Sequence, residues 1–194
     1  KNERDVSVYC CFDNEEVGSN TKQGAMSTFL QDVLHRINGA LGKTPEDYYQ
    51  AVAGSFLVSC DNAHAVHPNH GEKTDAVNCS WMNKGIVIKE SANQKYTTDA
   101  FSRAVFTNVC NEAGVPVQVF ANRSDSAGGS TLGNLSNTQV SVHAVDIGLP
   151  QLGMHSCYET AGVKDVEYAI SALTKFYQIN LQIEGAESAM FEYF

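Results

Sequence analysis

The sequence has few of the features that mark disordered, nucleic-acid-binding or membrane-spanning chains. Only 4 of its 194 residues are proline and 43% are hydrophobic, without any low-complexity tract, so the composition indicates a globular domain. Its 13 basic residues form no cluster and are outnumbered by 22 acidic ones, which argues against a nucleic-acid partner. No apolar run approaches the roughly 20 residues of a membrane span, so we expect no membrane partner.

The cysteines lack the C-x-x-C spacing that metal-binding and redox motifs use. They lie mostly within apolar runs, at Cys10, Cys11, Cys60, Cys79, Cys110 and Cys157. This pattern predicts buried free thiols in a reducing compartment, and we therefore expect a cytoplasmic protein. Residues 1–5 are too polar to begin a secretory signal peptide.

Apolar runs and helical periodicities alternate along the chain. The run VSVYCCF at residues 6–12 predicts a strand buried on both faces, and apolar residues from Ala25 to Ile37 recur at helical spacing. Further helices are predicted at 45–53, 99–113 and 163–176, and further strands at 56–59, 86–89, 115–121 and 140–147. Residues 180–194 fit either a terminal strand or an ordered tail. This alternation predicts one α/β domain, a three-layer α/β/α sandwich with a mostly parallel central sheet.

Polar side chains follow three of the predicted strands, where open α/β sheets bind their ligands. The segment DNEE follows the first strand, Asp61 follows the second, and His155 lies beyond the strand at 140–147. In an extended segment Glu15 and Glu16 point to opposite sides, so one could bind a metal while its neighbour acts on the reacting water. Such ligands suit zinc, manganese or cobalt. A solvated acidic turn, a loop-capping aspartate and a core histidine remain the structural alternatives.

Four segments carry a more specific signal. They read DNEEVGS at 13–19, SCDNAHAVHPN at 59–69, GIVIKESANQKYTTDAFS at 85–102 and DIGLPQLGMHS at 146–156. In this order they resemble the signature blocks of the aspartyl aminopeptidases, a family of dinuclear zinc exopeptidases. The resemblance implies a zinc-peptidase-like fold with two zinc ions per complete site. It also implies peptide substrates, from which an N-terminal residue, Asp or Glu among the candidates, is removed by a homo-oligomeric enzyme.

The resemblance assigns roles to four residues at the metal centre. Glu15 would be the general base and acid, which takes a proton from water and delivers it to the leaving amine. Glu16 and His155 would ligate one zinc ion and Asp61 the other. A two-metal site can hold the free amino group, polarise the scissile carbonyl and activate water together.

Three further residues match substrate-contacting positions of the family, namely His64, Lys89 and Tyr96. Without the resemblance, Lys89 would be interpreted as an exposed charge at a strand end and Tyr96 as a half-buried sheet residue. With it, Lys89 is a cation for a substrate carboxylate, and the Tyr96 phenol a donor to a developing oxyanion. The glycine turn SAGGSTLG is no phosphate loop, because no G-K-[ST] follows; it predicts a close approach of backbone to the site.

Several positions depart from the family pattern. Gly128 stands where a cysteine is usual, Asn134 replaces a proline, Tyr158 replaces an arginine and Thr74 replaces a histidine. These changes bear on the expected substrate preference more than on the expected metal chemistry.

A larger departure concerns the ligands upstream of residue 1. The family's first metal-binding histidine, its bridging aspartate and its pairing domain all precede the segment that begins at Lys1. We therefore expect residues 1–194 to be the C-terminal portion of a catalytic domain, with a weak metal site and little activity alone. The rival hypotheses are an inactive fragment or structural domain, and another dinuclear zinc peptidase or amide hydrolase.

Overall fold

Two parallel strand pairs form the centre of the structure, a computed structural model that describes residues 5–192. The strands are β1 (Phe56–His64), β2 (Ile86–Glu90), β3 (Val117–Ala121), β4 (His143–Leu152) and β5 (Thr160–Ala161). β1 runs parallel to β4, and β2 runs parallel to β3. The two pairs join because β2 also pairs antiparallel with β4, which gives the strand order β1-β4-β2-β3. The short strand β5 pairs antiparallel with β4, outside this order. The prediction of an α/β fold with a mostly parallel sheet is confirmed.

Within residues 5–192, five α-helices flank or precede this sheet. They are α1 (Phe29–Ala40), α2 (Pro45–Ala53), α3 (Ala100–Glu112), α4 (Leu132–Ser136) and α5 (Val163–Gln178). Helix α2 has the predicted bounds because Thr44 and Asp47 form a capping box and Pro45 occupies the first turn. Helix α1 begins at Phe29, four residues later than predicted; its N-cap Thr28 makes no side-chain capping bond, and the Ser27 hydroxyl accepts a hydrogen bond from the Phe29 amide.

The main core lies between the sheet and the pair α3 and α5. Its fully buried members include Ile86, Ile88, Phe106, Val145 and Ile147. Burying side chains of this size stabilises the fold by roughly 1.5–3 kcal/mol each. This layer holds the strands that carry the polar site on the opposite face.

Helix α4 lies on that opposite face, so helices cover both sides of the sheet. Side chains alternate along β1 and β4, and Ser59 and Asp146 therefore point away from the main core. A Cβ atom on Gly133 of α4 would lie 2.8 Å from the Ser59 Cβ and 2.9 Å from the Asp146 Oδ1. The glycine turn thus allows a close backbone approach, as the sequence predicted.

Residues 6–12 form no strand, so the prediction of a buried first strand is wrong. Val6 is 61% exposed and Tyr9 is 84% exposed. The segment contacts α5, where the Tyr177 hydroxyl donates to the Val8 carbonyl oxygen at 3.1 Å. A β-prone run becomes a strand only when a neighbouring strand pairs with it, and within residues 5–192 none pairs with this segment.

The chain ends in a β-hairpin, which decides between the two alternatives for this region. Strands β6 (Asn180–Ile183) and β7 (Ala189–Glu192) pair antiparallel, and their Leu181 and Phe191 pack against the main core. Residues 1–4, to which the signal-peptide argument applied, and residues 193–194, the end of the predicted tail, lie outside the described residues.

The cysteines are free, as predicted, but mostly not buried. Only Cys110 lies in the core, whereas Cys11, Cys60 and Cys157 are exposed. Burial raises the pKa of the Cys110 thiol to about 12. Cys11 is exposed because the segment expected to bury it is not a strand. None of the helices in the described part of the chain has the length and apolarity of a membrane span.

Candidate metal and substrate site

Two surface turns bring a carboxylate and an imidazole together. Glu16 lies on the turn at 15–18, and its Oε2 is 3.2 Å from the Nε2 of His155, which follows β4. His155 has φ +66°, in the left-handed region, and its amide donates to the Glu159 Oε1 at 2.7 Å. Because both side chains are more than two thirds exposed, at 75% and 68%, a ligand could reach either one from solvent.

Glu15 lies beside this pair and is less exposed. Burial raises the pKa of Glu15, and the negative charges of Asp61 and Glu16 raise it further, while His155 and Lys89 act in the opposite direction. The extended segment assumed from the sequence is instead a turn, closed by bonds from the Gly18 amide to the Glu15 oxygen and from the Ser19 amide to the Asn14 oxygen. Glu16 contacts His155, and the charges of both residues also act on Glu15, so both glutamates lie near His155.

The sheet supplies a second group of polar residues. Asp61 and His64 lie within the C-terminal half of β1, because this strand extends to His64 and does not end at Ser59 as predicted. Lys89 is buried, and its ammonium lies 3.6 Å from Asp61 Oδ2 and donates to the Asn62 oxygen at 3.1 Å. The interpretation of Lys89 as an exposed strand-end charge is therefore wrong.

Tyr96 is buried in the connection between β2 and α3, outside the sheet. The Lys89 ammonium lies 5.4 Å from the centre of its ring, within the range of a cation–π contact. Its hydroxyl accepts a hydrogen bond from the Asn122 side chain at 3.1 Å. Burial raises the pKa of Tyr96, so the phenol keeps its proton at neutral pH.

His64 connects this group to a cavity of about 440 Å³. Burial and the nearby His155 and Lys89 lower the pKa of His64, although its outer edge is open to solvent. The cavity wall also includes His67 and His70, whose ring centres lie 5.2 Å apart.

A zinc site needs three or four donors, and the described residues supply fewer at one point. Glu16 and His155 form a carboxylate–imidazole pair of the kind that binds zinc. No group of three or more His, Cys, Asp or Glu side chains arranged for a metal occurs within residues 5–192. The pair therefore fits one ion as two of its donors, and Asp61, His67 and His70 do not complete it.

The structure adds residues that sequence reasoning did not single out. Asn122 bonds to the Tyr96 hydroxyl, and the Asn62 carbonyl oxygen accepts from Lys89. Asp146 is fully buried and accepts two hydrogen bonds from Thr97. The aspartate had a signal in the sequence, since a charge inside an apolar strand requires partners; the asparagines had none.

Comparisons with known proteins identify similar chains. A probable M18 family aminopeptidase 2 of Clostridium novyi (strain NT) is 51% identical over 174 residues, matching 90% of this chain and 40% of that protein. Aspartyl aminopeptidase 1 of Schizosaccharomyces pombe is 45% identical over 177 residues, matching 91% of this chain and 37% of that protein. The chain thus spans about two fifths of the length of these curated relatives.

Solved structures show the same fold. The cryo-EM structure of the Ape4 and Nbr1 complex matches 86% of this chain and 31% of its own chain, with TM-score 0.83 and 44% identity. The S. cerevisiae mApe1 dodecamer matches 86% of this chain and 36% of its own, with TM-score 0.74 and 29% identity. The family model for aminopeptidase I zinc metalloproteases (M18) matches residues 1–177. Because this match covers nearly the whole chain, the chain belongs to the M18 family of zinc metalloproteases.

Proposed function

We propose that this chain is part of a metal-dependent aminopeptidase that hydrolyses the N-terminal residue from peptides. The observation that carries the proposal is the 3.2 Å pair of Glu16 and His155 with Glu15 beside it. The names of its M18 relatives support the reaction class. Because the chain spans about two fifths of those relatives, we propose that it is one portion of the catalytic domain and turns over little alone.

In this proposal Glu16 and His155 hold one zinc ion and Asp61 contributes to a second. Bound zinc would supply Lewis-acid polarisation of the scissile carbonyl and a more acidic water. Glu15 acts as general base and then as general acid at the leaving amine. Burial is the main cause that raises the pKa of Glu15, and it supports this role because a less acidic carboxyl can both accept and return a proton.

We propose that Lys89, His64 and Tyr96 contact the substrate. Lys89 is a buried cation at the edge of the site, which supports a preference for acidic N-terminal residues. The Asp61 carboxylate already lies 3.6 Å from the Lys89 ammonium, so a substrate carboxylate would have to compete with Asp61 for this cation. In the full-length protein, Lys89→Met should reduce kcat/KM for Asp- and Glu-terminated peptides, on the order of 10-fold, more than for Leu-terminated ones. A parent enzyme that prefers leucine, with a ranking unchanged by the substitution, would remove the acidic preference.

The proposed reaction is tested with the full-length protein that contains this chain. Glu15→Gln should lower kcat on the order of 10²-fold or more while zinc content, measured by mass spectrometry, stays unchanged. Glu46→Gln on α2 is the matched control, because Glu46 lies in an exposed first turn. A chelator should stop the parent enzyme. Full activity of the Glu15→Gln variant would remove Glu15 from the mechanism.

A second candidate function is a domain that associates without turnover. The absence of a three-donor metal group within residues 5–192 favours it for this chain in isolation. The two proposals differ for the full-length protein, since only the first expects chelator-sensitive hydrolysis of peptides with a free N-terminus. Activity on N-acetylated peptides alone would instead favour an amide hydrolase of another specificity.

We also propose a cytoplasmic homo-oligomer. The dodecamer named for the S. cerevisiae relative supports assembly, and the free cysteines support a reducing compartment. Light scattering on the full-length protein tests the assembly: a monomer at all concentrations would contradict it. For this chain alone we expect a smaller or concentration-dependent assembly, which a stable dodecamer would contradict.

A further inference from the structure

Asp146 is a charged residue in the middle of the central sheet. It lies on β4 opposite Ser59 of β1, and its side chain has no exposure to solvent. Burying a carboxylate is unfavourable unless hydrogen bonds replace its hydration, and an apolar residue of similar volume often stabilises such a position as well or better. The fold alone therefore does not account for an aspartate here, and its partners indicate what it does.

The partners of Asp146 lie in one short segment. Its Oδ2 accepts from the Thr97 amide at 2.6 Å and from the Thr97 hydroxyl at 3.0 Å. Its own amide donates to the Thr98 hydroxyl at 3.0 Å. Asp146 thus fixes two consecutive residues of the connection between β2 and α3, through both its side chain and its backbone.

This anchored segment begins at Tyr96, the residue next to Thr97. The Tyr96 ring lies under the Lys89 ammonium at 5.4 Å, and its hydroxyl bonds to Asn122. Tyr96 sits in a loop and has no ladder hydrogen bonds to hold its backbone. The bonds from Thr97 to Asp146 therefore supply the constraint closest to it in the chain.

The Asp146 carboxylate is closely packed, and within residues 5–192 Thr97 provides the hydrogen bonds that its side chain makes. Among the described residues, its Oδ1 has no hydrogen-bond partner, and neither has Ser59 Oγ or Thr131 Oγ1. Gly133 approaches so closely that an added Cβ would lie 2.9 Å from Oδ1 and 3.0 Å from Oδ2. The carboxylate is thus held in place by packing, with Oδ2 directed at Thr97.

We propose that Asp146 is a positioning residue, which holds Tyr96 against Lys89 at the substrate side of the site. Asp146 does not touch the substrate in this proposal; it acts through Thr97. The contact between Tyr96 and Lys89 can be measured without turnover, and only the kinetic consequence rests on the proposed aminopeptidase function.

The test uses NMR on this chain. Lys89 lies over the Tyr96 ring, so its ε-methylene protons should show a ring-current shift and nuclear Overhauser effects to the ring, both of which Tyr96→Leu should abolish. In Asp146→Ala these protons should move toward their shift in Tyr96→Leu and lose the ring contacts. In Asp146→Asn the side-chain oxygen still accepts from the Thr97 amide, so the shift and contacts should remain.

Asp165 provides a matched control. It is also a fully buried aspartate, but it lies in the first turn of α5 and accepts hydrogen bonds from the Asn83 and Gly85 amides, which precede β2. Asp165→Ala should lower stability without changing the Lys89 signals. An unchanged Lys89 signal in Asp146→Ala, or an equal loss in Asp165→Ala, would overturn the proposal.

If Asp146→Ala does not fold, Thr97→Val decides the question. It removes the hydroxyl donor and keeps the amide donor, so part of the ring-current shift should be lost; an unchanged shift would count against the proposal. In the full-length protein, Asp146→Ala should lower kcat/KM on the order of 10- to 100-fold, with Asp146→Asn close to wild type. A parent without any peptidase activity would contradict the proposed function, while the NMR result would still decide the role of Asp146.

Discussion

The two halves of the candidate site differ in how the fold supports them. Lys89 and Tyr96 are buried, and each has named partners in the sheet or its connections. Glu16 and His155 lie on surface turns, and their main contact is with each other. The first pair, the sheet-borne half, is organised by the core beneath it. The second pair, the turn-borne half, depends on local turn geometry.

This difference indicates which half changes when a ligand binds. A buried group with hydrogen-bond partners keeps its position, because moving it would break those bonds in a medium of low polarity. Exposed side chains on turns keep their rotamer freedom until a ligand fixes them. We therefore expect metal binding to order the turn-borne half and to leave the sheet-borne half almost unchanged.

The largest effect is expected when the core beneath the sheet loses one large side chain. Phe106 on α3 is fully buried, and Phe106→Ala should lower the free energy of unfolding by about 3–5 kcal/mol, since it leaves a cavity. Val17 on the turn beside Glu16 is 73% exposed, and Val17→Ala should change it by no more than about 0.5 kcal/mol. Urea denaturation measures both variants. Equal losses would show that the turn contributes to the core.

A smaller effect is expected when the buried cation loses its partner. Asp61→Ala removes the carboxylate beside the Lys89 ammonium, which keeps the Asn62 oxygen and the Tyr96 ring, so the free energy of unfolding should fall by roughly 1–3 kcal/mol. Glu16→Ala removes an exposed carboxylate and should be neutral within about 0.5 kcal/mol. The same denaturation measurement compares them. A larger loss of stability in Glu16→Ala than in Asp61→Ala would contradict the comparison, because the turn-borne half would then contribute more to the fold than the sheet-borne half.

Zinc affinity tests the turn-borne half directly. Because residues 5–192 bring two donors together at one point, the chain should bind zinc weakly in calorimetric titration, and His155→Ala should weaken binding on the order of 10-fold or more. His143→Ala is the control, because His143 begins β4 and its ring is tilted against that of Phe101. Two tight sites in the unaltered chain would contradict the incomplete centre.

Much of the fold was predictable because its signals are local. The capping box of Thr44 and Asp47 fixed the start of α2, and the apolar run at Ile86 indicated β2. The segment at 6–12 carried an equally strong strand pattern, yet it is exposed, because a strand also needs a partner that a local pattern cannot specify.

The proximity of two candidate site residues could be expected from the sequence, but the environment of the others could not. The motif containing His155 and the DNEE segment identified groups that meet at 3.2 Å, although they are far apart in sequence. The burial of Lys89 was missed, because a lysine after an apolar run reads as a strand end. Its partners, Asp61 and the Asn62 oxygen, lie on another strand and become visible only in three dimensions.

The smallest effect concerns pH and His64, which lies between the two halves. Burial lowers the pKa of His64, and the positive charges of His155 and Lys89 lower it further, with Asp61 opposing them. The unfolded chain therefore binds a proton at this position at a higher pH than the folded chain does. Stability should fall as the pH drops through the ordinary imidazole range near about 6.5, and above that range His64 should contribute no pH dependence.

His64→Gln has no proton to bind, so its free energy of unfolding should fall less between pH 8 and pH 5 than that of the unaltered chain. Urea denaturation at both pH values, with NMR titration of the His64 ring, measures the effect. If the free energy of unfolding falls equally in the two proteins, His64 takes up its proton as readily in the folded chain as in the unfolded chain, and the prediction is wrong.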